Sequence, residues 1–128
     1  MHSLSLMILF AIIRDFYFRE VIMSAKIEYK QKEIRVYLSG EIDHHSASLI
    51  RASIDDAIIH KKPSLLIMDF GEVSFMDSSG IGLVMGRYKL MKTVQGRIRV
   101  ENLSPGAYKV MVLAGLERLG EIKQKEVV

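Results

Sequence analysis

The segment that most constrains the fold is a short apolar run, Leu65–Phe70, which only Asp69 interrupts. Pro63 precedes the run and Gly71 follows it, so the segment is too short for a buried helix and is typical of a strand. A strand that is apolar on nearly every residue is usually covered on both faces, as in the centre of a parallel sheet. The sequence therefore predicts a layered α/β domain built around this strand.

Strand and helix patterns alternate along the rest of the chain. Polar and apolar residues alternate over 26–30, 33–39 and 97–101, and a short strand is expected around Ile122. Helical spacing marks residues 44–60, the segment up to 93, and the segment that begins at Pro105. Strands that alternate with helices pair in parallel, and the first two strands suit an antiparallel hairpin. We expect a single α/β domain whose mixed, mostly parallel sheet has an antiparallel edge hairpin and packed helices.

The helices carry recognisable faces and ends. Asp43 and Ser104 are suited to cap the first and third helices, Pro105 suits a first helical position, and Gly115 suits a stop. The predicted buried faces are Ala47, Ile50, Ile54, Ala57 and Ile58 in the first helix, and Ile81, Val84, Met85, Tyr88 and Met91 in the second. Between the central strand and the second helix we expect a loop that starts at Gly71 and ends in Ser78-Ser79-Gly80.

Composition removes several classes of function. The 128 residues contain no cysteine, which excludes disulfides, thiolate metal sites and a thiol nucleophile. The net charge of +3 is mild, and acidic residues are interspersed with the basic ones, so direct nucleic-acid binding is not expected. His44 and His45 are helix neighbours that point about 100° apart, so they do not converge on one ion. We expect no metal and no cofactor.

Residues 1–22 differ from the rest of the chain. Their apolar run ends at Arg14, which is too short for the roughly 20 residues of a membrane-spanning helix, and no basic residue precedes it as in a signal peptide. We interpret residues 1–22 as an N-terminal extension, with translation starting at Met23, and residues 23–128 as the domain. The competing interpretation is an amphipathic segment that contacts a membrane or a partner. We expect no membrane association and a cytoplasmic location.

Three glycines offer an alternative function. Gly80, Gly82 and Gly86 open a helix after a strand, which is similar to a dinucleotide-binding fingerprint and would suit a small nucleotide-binding or enzymatic α/β domain. That fingerprint places its first glycine directly after the strand, whereas Gly71–Ser79 intervene here. The purely structural interpretation is that small residues let this helix lie close to the sheet.

Two serines at the start of the second helix give a sharper signal. The purely structural interpretation of Ser78 and Ser79 is that they cap the helix. A hydrolase nucleophile elbow would need Gly-x-Ser-x-Gly, and the first glycine position is Met76 or Asp77 instead. The remaining functional interpretation is a phosphorylated serine, because a phosphate would add about −1.5 to −2 charges beside Asp77 and change partner choice.

Two separated motifs carry a family resemblance. Gly40-Glu41-Ile42-Asp43-His44-His45-Ser46-Ala47 and Phe75-Met76-Asp77-Ser78-Ser79-Gly80-Ile81-Gly82, with Gly86-Arg87-Tyr88-Lys89 after them, closely resemble the anti-sigma factor antagonists of the STAS superfamily, and the sporulation type most of all. The resemblance extends from about Lys26 to Ile122. It implies a regulatory protein rather than an enzyme.

The resemblance also implies a switch and its residues. Ser78 corresponds to the phosphorylated serine of the family, and the kinase is the anti-sigma factor itself. The unphosphorylated antagonist binds that partner and releases the sigma factor, and a serine phosphatase resets the switch. Asp43 corresponds to an acidic residue of the partner-contact surface. We expect Asp43, Asp77, Ser78, Ser79 and Gly80 to form the partner-binding site.

Overall fold

The computed structural model describes residues 5–9 and 25–126. Residues 5–9 are helical and their side chains are exposed, while the other residues of the predicted extension lie outside the described part. Over 25–126 the chain forms five strands and three α-helices. In chain order they are β1 Ala25–Lys30, β2 Glu33–Ile42, α1 His44–Lys61, β3 Leu65–Met76, α2 Ser78–Thr93, β4 Arg97–Leu103, α3 Pro105–Leu113 and β5 Glu121–Gln124, with a 3₁₀ turn at Leu116–Arg118 before β5.

The strands form one sheet in the order β1-β2-β3-β4-β5. β1 is antiparallel to β2, and every other pair is parallel, so the predicted mixed sheet with an edge hairpin is confirmed. β3 lies in the middle, as its apolar run predicted. Among the described residues, no helix combines the length and the apolar character that crossing a membrane requires.

A single core joins one face of the sheet to all three helices. Ile34, Leu66 and Ile98 lie side by side in register on adjacent strands and are almost fully buried. The predicted buried face of α1 is confirmed at all five positions. Ile67 lies on the opposite face of the sheet, outside this core, and is buried where Arg35 and Arg99 flank it in register on β2 and β4.

The buried face of α2 differs from the prediction. Met85 is 38% exposed, whereas Leu83 and Arg87 are buried. The sequence reasoning counted only apolar residues as buried, but Arg87 lies between α1 and α2 and pairs with Asp55 on α1. An ion pair between helices thus occupies a position that periodicity assigned to the surface.

The predicted loop after the central strand is wrong over 71–76, because β3 continues to Met76. β2 also continues to Ile42, and two register shifts around Gly40 let the two strands stay paired to their ends. Gly40 has φ of +75°, a left-handed conformation that glycine adopts without strain. The pairing with β4 stops earlier, at Asp69, so the last part of β3 is held by β2.

Candidate functional site

Two aspartates lie side by side where β2 and β3 end. Asp43 and Asp77 each follow directly after one of the paired residues Ile42 and Met76. The Asp77 N–H donates to the Ile42 carbonyl at 3.2 Å, which ties the two strand ends together. The carboxyl ends of parallel strands share an edge, and here that edge also carries the N-termini of α1 and α2.

Asp43 caps α1, as the sequence predicted. Its carboxylate accepts the Ser46 N–H at 2.9 Å, and the Asp43 N–H donates to the Ser46 hydroxyl at 3.0 Å, which completes a capping box. The Ser46 amide holds the pKa of the Asp43 carboxyl below its usual range. Asp43 therefore presents a fixed negative charge, half-exposed, beside the start of α2.

Asp77, and neither serine, caps α2. Its carboxylate accepts the Ser79 N–H at 2.7 Å, and Ser78 is the first helical residue. The capping interpretation of the two serines is therefore wrong. Ser78 is exposed, and within the described ranges its hydroxyl has no hydrogen-bond partner. A hydroxyl that is accessible and has no structural task is available for modification.

Gly80 is the one motif glycine that close packing requires. It is buried, and a Cβ at this position would collide with the Met76 side chain. Gly82 and Gly86 have open space where a Cβ would lie, so the expectation that small residues bring α2 close to the sheet holds for Gly80 alone.

An apolar groove opens beside Ser78, between the end of β3 and the start of α3. It has a volume of about 380 Å³. Its lining residues are Phe70, Val73, Ser74, Phe75, Met76, Asp77, Ser78, Ile81, Ser104, Gly106, Ala107 and Val110. Phe75 and Val110 are 55% and 45% exposed, so the groove could receive an apolar side chain of a partner. The sequence reasoning missed both residues, since their exposure depends on how β3 and α3 diverge.

Ser79 borders a second cleft, which is distinct from the groove beside Ser78. It lies between α1 and α2, has a volume of about 310 Å³, and is lined by His44, Ala47, Ser48, Arg51, Ser79, Gly82, Leu83 and Arg87. Ser78 lines the apolar groove and Ser79 lines this polar cleft, so the two neighbours face different surfaces.

The two adjacent histidines lie at the surface, away from any group of metal-binding side chains in the described part of the chain. His44 and His45 are exposed in the first turn of α1. Across residues 5–9 and 25–126, no three His, Asp or Glu side chains are grouped as metal ligands would be.

Comparison with known proteins gives a consistent picture. The STAS domain model matches residues 24–127. A curated relative, the anti-sigma F factor antagonist of Lysinibacillus sphaericus, is 40% identical over 95 residues, which are 73% of this chain and 81% of the relative.

Two solved structures are similar as well, one of SpoIIAA in its unphosphorylated form and one of the Bacillus cell fate determinant SpoIIAA in the phosphorylated form. Both are 37% identical to this chain and cover 77% of it, and the matches span 86% and 89% of those chains with TM-scores of 0.69 and 0.64.

Proposed function

The chain belongs to the STAS domain family, and we propose from this premise that it is an anti-sigma factor antagonist. In its unphosphorylated form it binds an anti-sigma factor and frees the sigma factor. The curated relative and the unphosphorylated SpoIIAA structure are named anti-sigma factor antagonists, and SpoIIAA has been solved in both phosphorylation states. The comparisons give no support to the nucleotide-binding or enzymatic alternative built on Gly80, Gly82 and Gly86.

We propose that Ser78 is the residue through which the switch operates. The observation that carries this assignment is the capping of α2 by Asp77, which leaves the Ser78 hydroxyl exposed and without a hydrogen-bond partner among residues 5–9 and 25–126. Ser79 is half-buried. Of the two hydroxyls, that of Ser78 is therefore the more accessible to an approaching kinase.

The phosphoryl transfer itself is performed by the partner, an anti-sigma factor with ATP-dependent serine kinase activity. The Ser78 Oγ forms a bond to the γ-phosphorus of ATP, the bond from that phosphorus to the β,γ-bridging oxygen breaks, and ADP leaves. The hydroxyl proton passes to a base of the kinase. The chain supplies the acceptor and the docking surface, and it acts as a regulator and not as an enzyme.

Phosphate on Ser78 switches the protein off through charge and bulk. It adds about −1.5 to −2 charges next to Asp77, on the edge that also holds Asp43. The groove and this edge would form the partner-binding surface together with Ser79, so a docked partner would meet a more negative and narrower site. Gly80, which was expected in this surface from the sequence, is buried and instead supports it by letting α2 pack on Met76. A serine phosphatase restores the binding-competent form, and we place the cycle in the cytoplasm, where sigma factors act.

The experiment that tests this proposal is the intact mass of the protein after incubation with its anti-sigma factor and ATP. Wild type should gain the mass of one phosphate, Ser78→Ala should gain none, and Ser79→Ala should behave as wild type. Ser78→Ala should still bind the anti-sigma factor. Loss of the label in Ser79→Ala with retention in Ser78→Ala would contradict the assignment of the acceptor.

A further inference from the structure

A hydrogen-bonded polar pair, the buried Asp69 and the half-buried Asn102, lies where β3 and β4 part. Their parallel pairing ends at Asp69 and Glu101, and beyond this point the two chains diverge. β3 leads on to Asp77 and Ser78, while β4 leads to the cap of α3. The groove beside Ser78 opens between these two arms, because Phe70 on one side and Ser104 on the other both line it.

Asp69 holds both arms at this branch point. One carboxylate oxygen accepts the Gly71 N–H at 2.9 Å, and the other accepts the Asn102 side-chain amide at 3.0 Å. The second oxygen also lies 3.5 Å from the Arg35 guanidinium, whose shorter ion pair, at 2.8 Å, is with Glu101. Asp69 is only 9% exposed. Hydrogen bonds to a charged acceptor are stronger than those between neutral groups, and burial strengthens them further. The carboxylate thus joins a backbone position on the β3 arm to a side chain on the β4 arm.

The backbone around the pair is adapted to close contact. Asn102 has φ of +58°, a left-handed conformation that asparagine tolerates better than most residues. A Cβ on Gly71 would lie 3.1 Å from the Asp69 carboxylate and 3.4 Å from the Asn102 Cβ. A side chain at position 71 would thus crowd the pair, and the hydrogen bond from Asn102 to Asp69 joins the β4 arm to the β3 arm.

We propose that Asp69 and Asn102 are positioning residues that fix the distance between the two walls of the groove and thereby the presentation of Ser78 to its kinase. The inference rests on the proposed function, because the kinase partner comes from it. Asp69 is too deeply buried for extensive contact with a docked partner, so its effect is transmitted through β3 and α3.

The decisive comparison uses an exchange of the two residues. Asn102→Asp alone sets two carboxylates against each other with no donor between them, so the hydrogen bond that joins the two arms is lost. In the double exchange, Asp69→Asn with Asn102→Asp, the amide at position 69 keeps an oxygen for the Gly71 N–H and donates to the carboxylate at position 102. Asparagine and aspartate both tolerate the left-handed backbone, and the net charge is unchanged. Ile58→Val, at the fully buried far end of α1, is the control for a loss of stability without a change in the groove.

Steady-state phosphorylation by the anti-sigma factor separates positioning from stability. We expect Asn102→Asp to raise the KM of the chain as phosphate acceptor by about threefold to tenfold with little change in kcat. The double exchange should return KM to the wild-type value, and Ile58→Val should leave it unchanged. Asn102→Gly, which keeps the backbone conformation and removes the amide, should raise KM in the same way and replaces Asn102→Asp if that variant does not fold.

Two results would overturn the inference: a KM of Asn102→Asp that matches the Ile58→Val control, or a double exchange that does not recover. A second readout needs no partner. The backbone amide resonances of Ser78 and Ala107 should shift in Asn102→Asp and return in the double exchange. If wild type is not phosphorylated at all, the proposed function fails, and the resonances alone decide whether the pair shapes the groove.

Discussion

Asp77 caps α2, so the residue that stabilises the start of the helix and the proposed phosphate acceptor, Ser78, are two different neighbours. Its carboxylate accepts the Ser79 N–H, and the Ser78 hydroxyl, one residue along, has no such task among the described residues. An added phosphate can therefore change the surface of the protein without removing a hydrogen bond of the fold.

This division of roles predicts that alanine at position 77 lowers the stability of the fold, whereas alanine at position 78 does not. Asp77→Ala should lower the free energy of unfolding by about 0.5–2 kcal/mol, because the cap is lost, whereas Asp77→Asn should cost little. Ser78→Ala should leave the stability within about 0.5 kcal/mol of wild type. Urea unfolding monitored by circular dichroism measures all three. A cap-sized loss in Ser78→Ala, with none in Asp77→Ala, would assign the cap to the serine instead.

The charge of Asp43 can be tested apart from its capping role. Asparagine caps a helix about as well as aspartate, so Asp43→Asn should keep the capping box and remove the negative charge. We expect weaker binding to the anti-sigma factor, with a smaller salt dependence, and an unchanged melting temperature.

Titration of wild type, Asp43→Asn and the phosphorylated protein against the anti-sigma factor, with nucleotide present, measures this effect. The phosphorylated protein should bind weakest. Equal affinities of all three would rule out a switch that operates through this edge of the sheet.

At the scale of elements, α1 and α2 are joined by one buried ion pair. The Arg87 Nε lies 2.7 Å from an Asp55 carboxylate oxygen, and Arg87 also donates to the Leu83 carbonyl at 3.3 Å. Burial lowers the pKa of Arg87 and raises the pKa of Asp55, so desolvation opposes the charged form of both groups. Such a pair holds the helices in one arrangement more than it adds stability.

The pair predicts a strongly non-additive mutant cycle. Asp55→Ala leaves the buried Arg87 without its counterion and should cost about 3 kcal/mol, at the low end of the usual range because Asp55 keeps some exposure. Asp55→Leu combined with Arg87→Met should recover most of that loss. Chemical unfolding of Asp55→Leu, of Arg87→Met and of the variant that combines them gives the coupling energy. Additive losses would show that the two side chains act independently.

At the scale of the whole molecule, opposite charges collect at opposite edges of the sheet. The edge near Ser78 holds Asp43 and Asp77, whereas the far edge holds Arg97 and Lys32, which lie close together because Ser64 bonds to the backbone of both. Phosphorylation adds to the negative edge and so increases this asymmetry.

The domain boundary also belongs to this scale. The STAS match begins at residue 24 and the described core begins at Ala25. We expect a chain that starts at Met23 to unfold cooperatively and to bind the anti-sigma factor as tightly as the full chain, because residues 25–126 contain the sheet, the core and the groove. Thermal unfolding and binding of the two chains side by side test this. A shortened chain that loses cooperative unfolding would show that residues 1–22 belong to the domain.

Local patterns in the sequence determined the elements, the buried face of α1, the Asp43 and Ser104 caps and the family, because periodicity and capping depend on residues a few positions apart. Tertiary structure alone decided the end of β3, since a strand continues only as far as its neighbour β2 pairs with it. It also decided that Arg87 is buried, because its counterion lies 32 residues away on another helix. The hydrogen bond between Asp69 and Asn102 and the groove beside Ser78 also depend on tertiary structure, because both form where β3 and β4, which are distant in sequence, pair and then diverge.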